Sequence, residues 1–225
     1  MAKVGFVGTG AIAEAICTGL CTGDASPGTI VLSPRNAERS AKLAAAHDVC
    51  SIAPDNQSVV DGADIIFVCV LPAQLDEVLT DLTFRPDQTL VSLVSTSTLA
   101  GLATCSKLPA SQVYKMICLP PVAMHRGTCL LVPKGNVTIK TMCNSLGGTV
   151  ECETEESLRA LMVATCLMGP FCESACTHPT QNYAVIRDPS AAALLALLAL
   201  ALASAWNDLN GSLPCRIFVL LQTTS

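Results

Sequence analysis

Gly8, Gly10 and Ala13 stand in the spacing G-x-G-x-x-A, inside the run VGFVGTGAIAEAI. A first glycine permits a tight turn out of a strand, and a second lets bare backbone approach a pyrophosphate. A small third residue lets helix and strand pack closely, and the free N–H groups at the helix start then meet the phosphates. Gly8, Thr9, Gly10, Ala11 and Ile12 are therefore candidate phosphate-binding residues of a dinucleotide site. The end of the next apolar segment bears on which dinucleotide. A site for NAD places an acid there to hold the ribose 2′-hydroxyl. This chain has Leu32-Ser33-Pro34-Arg35-Asn36, with no acid. The Ser33 hydroxyl, the Arg35 fork and the Asn36 amide suit a 2′-phosphate, and Arg39, one helical turn on, offers a second positive charge. NADP is favoured over NAD. The segment also reads as a polar turn with Ser33 as a helix N-cap, and the two readings are compatible.

These residues need strands that end together and helices that start there. Strands are expected at Lys3–Val7, Thr29–Leu32, Val49–Ile52, Asp64–Val70, Thr89–Val94, Val113–Ile117 and Thr128–Val132, and helices at Ala11–Leu20, Asn36–Ala46, from Pro72, from Leu99 and at Val137–Leu146. DIIFVCV is a nearly unbroken apolar run, the mark of a strand buried on both faces of a parallel sheet. Gly147-Gly148 suits a helix C-terminus. Strand–helix alternation of this kind predicts an α/β fold, a doubly wound Rossmann sheet, mostly parallel with helices on both faces. After Thr154 the strand signals fade, and helices are expected at Glu155–Leu167 and Pro189–Leu209. The domains expected are 1–153, nucleotide-binding, and 154–225, a small helical domain on the dimerisation and substrate side.

Composition narrows the partners. The chain has 225 residues, with 13 Lys plus Arg against 18 Asp plus Glu, a formal charge of −5. A negative chain without a basic block argues against nucleic acid and anionic membrane as partners. Hydrophobic residues make up 51% and charged residues 14%, which excludes disorder. The N-terminus lacks the pattern of a secretory signal. The 13 cysteines are thus expected to be reduced packing residues of a cytoplasmic protein, with no metal site. Ala191–Ala205 is shorter than the roughly 20 apolar residues of a spanning helix. It suits a helix covered by a second subunit, so a homodimer or larger homo-oligomer is expected.

The chain resembles the pyrroline-5-carboxylate reductase family, which reduces a cyclic imine to proline. The stretches that carry the likeness are VGFVGTGAIAEAI, VLSPRN, APDN, ADIIFVCVLPAQLDEVL, TLVSLVSTSTLAGL and KMICLPPVAMHRGTCLLV, followed by Leu146-Gly147-Gly148 and ATCLMGP. The resemblance implies NADPH along Gly8–Ile12, Ser33, Arg35 and Asn36. It also implies cofactor contacts from Asn56, from Cys69, Val70, Leu71 and Pro72, and from Leu93, Val94 and Ser95. The substrate implied is a small cyclic imine.

The departures concern the substrate half. Leu71 stands where the family usually has Lys. Cys118-Leu119-Pro120-Pro121 replaces Pro-Asn-Thr-Pro, removing polar groups from the nicotinamide end. Thr165–Pro170 replaces Ser-Gly-Ser-Gly-Pro, and no Ser-Pro-Gly-Gly-Thr-Thr type loop follows. NADPH binding with weak or absent turnover is therefore expected. The alternatives are a family paralogue or pseudo-enzyme that only binds NADP, and a reductase of another imine or carbonyl. No catalytic residue is assigned. His125 is read as a solvated loop residue, with a proton donor at the nicotinamide as the alternative. Cys69 and Cys118 are read as packing, and Cys166, Cys172, Cys176 and His178 as a chance grouping.

Overall fold

The structure is a computed structural model and describes residues 2–162. Contacts divide the chain into Met1–Arg159 and Ala160–Ser225. The Ala191–Ala205 run, the expected Pro189–Leu209 helix, the Thr165–Pro170 turn and the Cys166–His178 grouping lie outside the described residues. Of the expected Glu155–Leu167 helix, residues 155–162 are described and helical.

Eight strands form one sheet: β1 (Lys3–Val7), β2 (Thr29–Leu32), β3 (Cys50–Ile52), β4 (Ile65–Val68), β5 (Thr89–Ser92), β6 (Val113–Ile117), β7 (Cys129–Val132) and β8 (Thr149–Glu151). Six α-helices connect them: α1 (Ala11–Thr22), α2 (Ala37–Ala46), α3 (Asn56–Asp61), α4 (Leu75–Asp81), α5 (Leu99–Ser106) and α6 (Val137–Ser145). The strand order is β3-β2-β1-β4-β5-β6-β7-β8. Every neighbouring pair is parallel except β6 and β7. The β6–β7 reversal has a length cause. Only residues 118–128 join the two strands, including a 3-10 turn at Pro120–Met124, and a parallel crossover needs a dozen or more residues.

Both faces of the sheet are covered, as the unbroken apolar strands require. Val4, Phe6, Ile65 and Phe67 face a core shared with Ile16, Leu20 and Met142. Val7, Ile66, Val68 and Leu90 face another, shared with Val59, Leu79 and Leu102. Phe6 and Phe67 pair across β1 and β4 and stack at 5.2 Å. Two short elements escape the sequence pattern, α3 with six residues and β8 with three. Neither spans enough positions to show a periodicity.

Candidate functional site: the crest of the sheet

Strand register aligns the expected cofactor residues. Phe6 pairs with Leu32, Val7 with Val68, and Val68 with Ser92. One residue on, Gly8, Cys69 and Leu93 fall in one row, and Ser33 stands one step behind it, level with Val7. The ladder continues to that row, with N–H donations from Ser33 to Phe6 O at 3.0 Å, Cys69 to Val7 O at 2.8 Å and Leu93 to Val68 O at 3.0 Å. Asn56, in the first turn of α3, follows the end of β3, where Ala53 N–H reaches Leu32 O. The order reverses between β1 and β4, and such a switch point opens a crevice at the carboxyl ends of the strands.

The glycine turn sits in that crevice. Gly8 has φ +92°, and a Cβ there would lie 2.7 Å from the Cys69 carbonyl oxygen. Only glycine meets both conditions. Gly10 is different: its φ is −85°, and an added Cβ would meet nothing nearer than 3.9 Å. Its missing side chain keeps space open above the turn. The first intrahelical bond of α1 runs from Glu14 N–H to Gly10 O at 2.9 Å. The N–H groups of Ala11, Ile12 and Ala13 thus have no acceptor within the helix. No side chain caps this end, whereas Asn36, Asp55, Thr98 and Asn136 cap α2, α3, α5 and α6. Uncapped donors at a glycine cradle fit the pyrophosphate of a dinucleotide.

Ser33 lies under the glycine turn. It is fully buried, and its hydroxyl accepts the Gly8 N–H at 3.0 Å, while the Thr9 hydroxyl donates to Ser33 O at 3.0 Å. Ser33 and Thr9 shape the turn from beneath. Asn36 caps α2 by accepting Arg39 N–H at 3.2 Å. Arg35 is exposed and donates to Gln74 Oε1 at 3.1 Å, reaching from the end of β2 to the turn after β4. Among the described residues it has no carboxylate partner. Arg39 does: it is ion-paired with Glu14 of α1, which also accepts from Lys42 at 2.7 Å. The second positive charge expected for a 2′-phosphate is thereby engaged, and Lys42, chiefly, with Arg39 holds the Glu14 carboxyl below its usual range.

Beyond Gly8 the crest turns apolar. Cys69 and Val70 are half-buried, Leu71 is 68% exposed, and Pro72 opens a 3-10 turn, Pro72–Gln74, that leads into α4. Burial pushes the Cys69 thiol up, against any nucleophilic role. Leu93 is half-buried, Val94 buried and Ser95 exposed. At the end of β6 stand Cys118, Leu119, Pro120 and Pro121, and a hydrogen bond with Cys129 raises the Cys118 thiol.

Lys115 is the residue that the sequence reading missed. It is 1% exposed on β6, and its Nζ donates to Ser95 O at 3.2 Å, to Ser97 O, and to Glu155 Oε1 at 3.4 Å. Glu155 also accepts the Leu99 N–H at 3.1 Å. Burial lowers the Lys115 pKa, with Glu155 opposing. Lys115 therefore ties the β5–α5 loop to β6, together with Glu155 and the Ser92 and Ser97 hydroxyls. Its signal was a lone lysine inside the apolar run VYKMI.

His125 is a half-buried loop residue turned away from the crest. Its Nδ1 lies 2.6 Å from Ser145 O and its Nε2 3.0 Å from the Thr22 hydroxyl. Thr22 ends α1, about 16 Å from the glycine turn by helical rise. His125 ties the ends of α1 and α6 together. Among the described residues, all nine cysteines are free thiols, and no helix is long and apolar enough to cross a membrane.

Comparison with known proteins agrees with this geometry. Residues 3–97 match a family described as NADP oxidoreductase, coenzyme F420-dependent. The pyrroline-5-carboxylate reductase of Corynebacterium melassecola is 29% identical over 162 residues, 72% of this chain and 56% of that protein. The chain thus spans about half the length of that relative. Among solved structures, a 1-pyrroline-5-carboxylate reductase from Streptococcus pyogenes superposes with TM-score 0.62 at 24% identity, covering 97% of this chain and 83% of that one. A Plasmodium falciparum pyrroline carboxylate reductase with NADP bound gives TM-score 0.64 at 16% identity, covering 96% and 82%. At such identities the two structures speak for the fold.

Proposed function

We propose that this chain, which is similar to pyrroline-5-carboxylate reductases, holds NADPH on its crest and serves reduction of a C=N bond in a small cyclic imine. The observation that carries the reading is the uncapped N-terminus of α1 behind the Gly8–Gly10 turn, at the switch point of the sheet. Ala11, Ile12 and Ala13 offer backbone donors to the pyrophosphate, and Ser33 and Thr9 keep the turn that aims them. Arg35 supplies the charge for the 2′-phosphate, because Arg39 is neutralised by Glu14. Asn56 lies at the adenosine side, and Cys69–Pro72 and Leu93–Ser95 line the way to the nicotinamide. When bound, NADPH supplies hydride from its nicotinamide to an imine carbon. The chain's own work is to orient the rings and exclude water. Homo-oligomerisation through residues after Thr154 is part of this reading. It rests on the apolar Ala191–Ala205 sequence, and light scattering of a soluble monomer at micromolar concentration would end it.

A second reading, NADPH binding without turnover, is favoured by Cys118–Pro121. A thiol, an isobutyl group and two pyrrolidine rings give a carboxylate or ring nitrogen no strong side-chain partner. Two measurements separate the readings. NADPH should bind more tightly than NADH. Arg35→Ala should weaken NADPH ten- to over a hundredfold, the loss of a charge-assisted contact of about 1.5–3 kcal/mol, and leave NADH unchanged. Equal affinity of the native chain for the two cofactors overturns the NADPH assignment. With excess NADPH and racemic pyrroline-5-carboxylate, weak or absent turnover is expected. Turnover of about ten per second, ordinary for enzymes, would retire the second reading and place the substrate contacts in residues not yet assigned.

A further inference from the structure

Among the described residues, three cysteines gather their sulfurs closely enough to share one metal ion. Cys17 and Cys21 are one turn apart on α1, so their side chains share a face. Cys50 opens β3, the edge strand, and lies with Cys17 in the core beneath α1. The Cys50 sulfur is 3.6 Å from that of Cys17 and 3.7 Å from that of Cys21, and all three lie within 4.8 Å of one another. Zinc binds thiolate sulfur at about 2.3 Å in a tetrahedron, which separates neighbouring sulfurs by about 3.8 Å. Two of the three edges already have that length. The third closes by a small turn of Cys21, the only one of the three that is half-exposed.

We propose that Cys17, Cys21 and Cys50 form a thiolate site for a thiophilic d10 cation of the zinc class, clamping α1 to the edge strand. Thiolate-rich sets select such ions over magnesium and calcium. Each of the three thiols gives a proton to solvent on binding. The fourth position opens on the Cys21 side. There water completes the tetrahedron. The consequence is mechanical: the helix whose first turn cradles phosphate is fastened through its second half.

The test uses the full chain, purified with reductant, stripped with chelator and dialysed against zinc sulfate. Zinc content, the absorption of the cobalt-substituted protein and Tm are then read. The native chain should retain one equivalent of zinc more than Cys17→Ala/Cys50→Ala. It should show thiolate-to-cobalt charge transfer that the variant lacks, and melt higher with zinc than without. Cys105→Ala, at a half-exposed thiol outside the group, should behave as native. Cys21→Ser, altered at the half-exposed position, should lose the zinc while keeping the Tm of the stripped native protein, which removes misfolding as an explanation. Equal zinc in native and double variant overturns the proposal, as does no stoichiometric uptake, or a Cys17–Cys50 disulfide that forms in place of metal binding.

Discussion

The two halves of the crest are built differently. Between β2 and β1, on the side proposed for the adenosine, the turn is fixed by buried hydroxyls: Ser33 receives the Gly8 N–H and Thr9 donates back to Ser33. Between β5 and β6, on the side proposed for the nicotinamide, the loop Ser95–Leu99 hangs on two charged groups, Lys115 and Glu155, beside an apolar exit at Cys118–Pro121. The first half is local, with neutral bonds between neighbouring strands. The second depends on an ion pair between residues forty positions apart. The contrast suggests that cofactor binding tolerates change in the far half, while orientation of the reacting ring does not.

The largest effect should come from the first half. Gly8→Val forces a branched side chain into φ +92° and into backbone at 2.7 Å. Backbone cannot give way as a flexible side chain can, so about 3 kcal/mol or more of stability should be lost, and NADPH binding with it. Urea denaturation and cofactor titration measure both. Gly10→Ala separates fold from site. It meets no neighbour within 3.9 Å, so stability should stay within about 0.5 kcal/mol. NADPH affinity should still fall about tenfold, because the methyl stands where phosphate must approach. An unchanged affinity would remove Gly10 from the cradle.

Lys115→Met probes the other half. The substitution keeps volume but leaves the Glu155 carboxylate and the Ser95 and Ser97 carbonyls without their donor. Breaking a buried pair costs about 3–5 kcal/mol, and Glu155, with its side chain 20% exposed, recovers part by hydration, so about 2–3 kcal/mol is expected. Lys115→Met/Glu155→Leu should regain a share of it, since removing both partners leaves fewer groups unsatisfied. The ratio of NADPH to NADH affinity should not move in either variant. A changed ratio would join the two halves and break the comparison.

What was legible follows the same division. Gly8-x-Gly10 and the acid-free Ser33–Asn36 segment are contiguous motifs whose meaning lies in neighbouring residues, and register aligned them. The strands at Lys3–Val7, Thr29–Leu32 and Val113–Ile117 were readable because apolar runs bounded by glycine or polar residues leave few alternatives. The direction of β7 was not readable, because it depends on the length of the connection rather than on its own residues. Lys115 looked like an interruption, since its acceptors come from residues 95, 97 and 155. Ser33 was identified as part of the site, but its burial, and the pairing of Arg39 with Glu14, needed a third dimension.

Glu14 gives the smallest effect and tests that last point. Its carboxylate takes Lys42 and Arg39 from α2 and so holds α2 against α1. Both bases stand partly in water, with side chains 72% and 39% exposed, so the pairs should stabilise by under about 1 kcal/mol. Because the folded carboxyl lies below its unfolded value of 4.5, that contribution is fully present above pH 4.5 and is lost as pH falls through the folded value. Glu14→Gln should therefore be slightly less stable than the native chain at pH 7 and equal to it well below pH 4. The substitution also frees Arg39 beside Arg35 and removes a negative charge from the first turn of α1. NADPH affinity should rise about two- to fivefold at low salt, with NADH affected less, and the gain should shrink as salt screens it. Should Glu14→Gln leave the preference for NADPH untouched, Arg39 lies out of reach of the 2′-phosphate, and Arg35 alone supplies the charge.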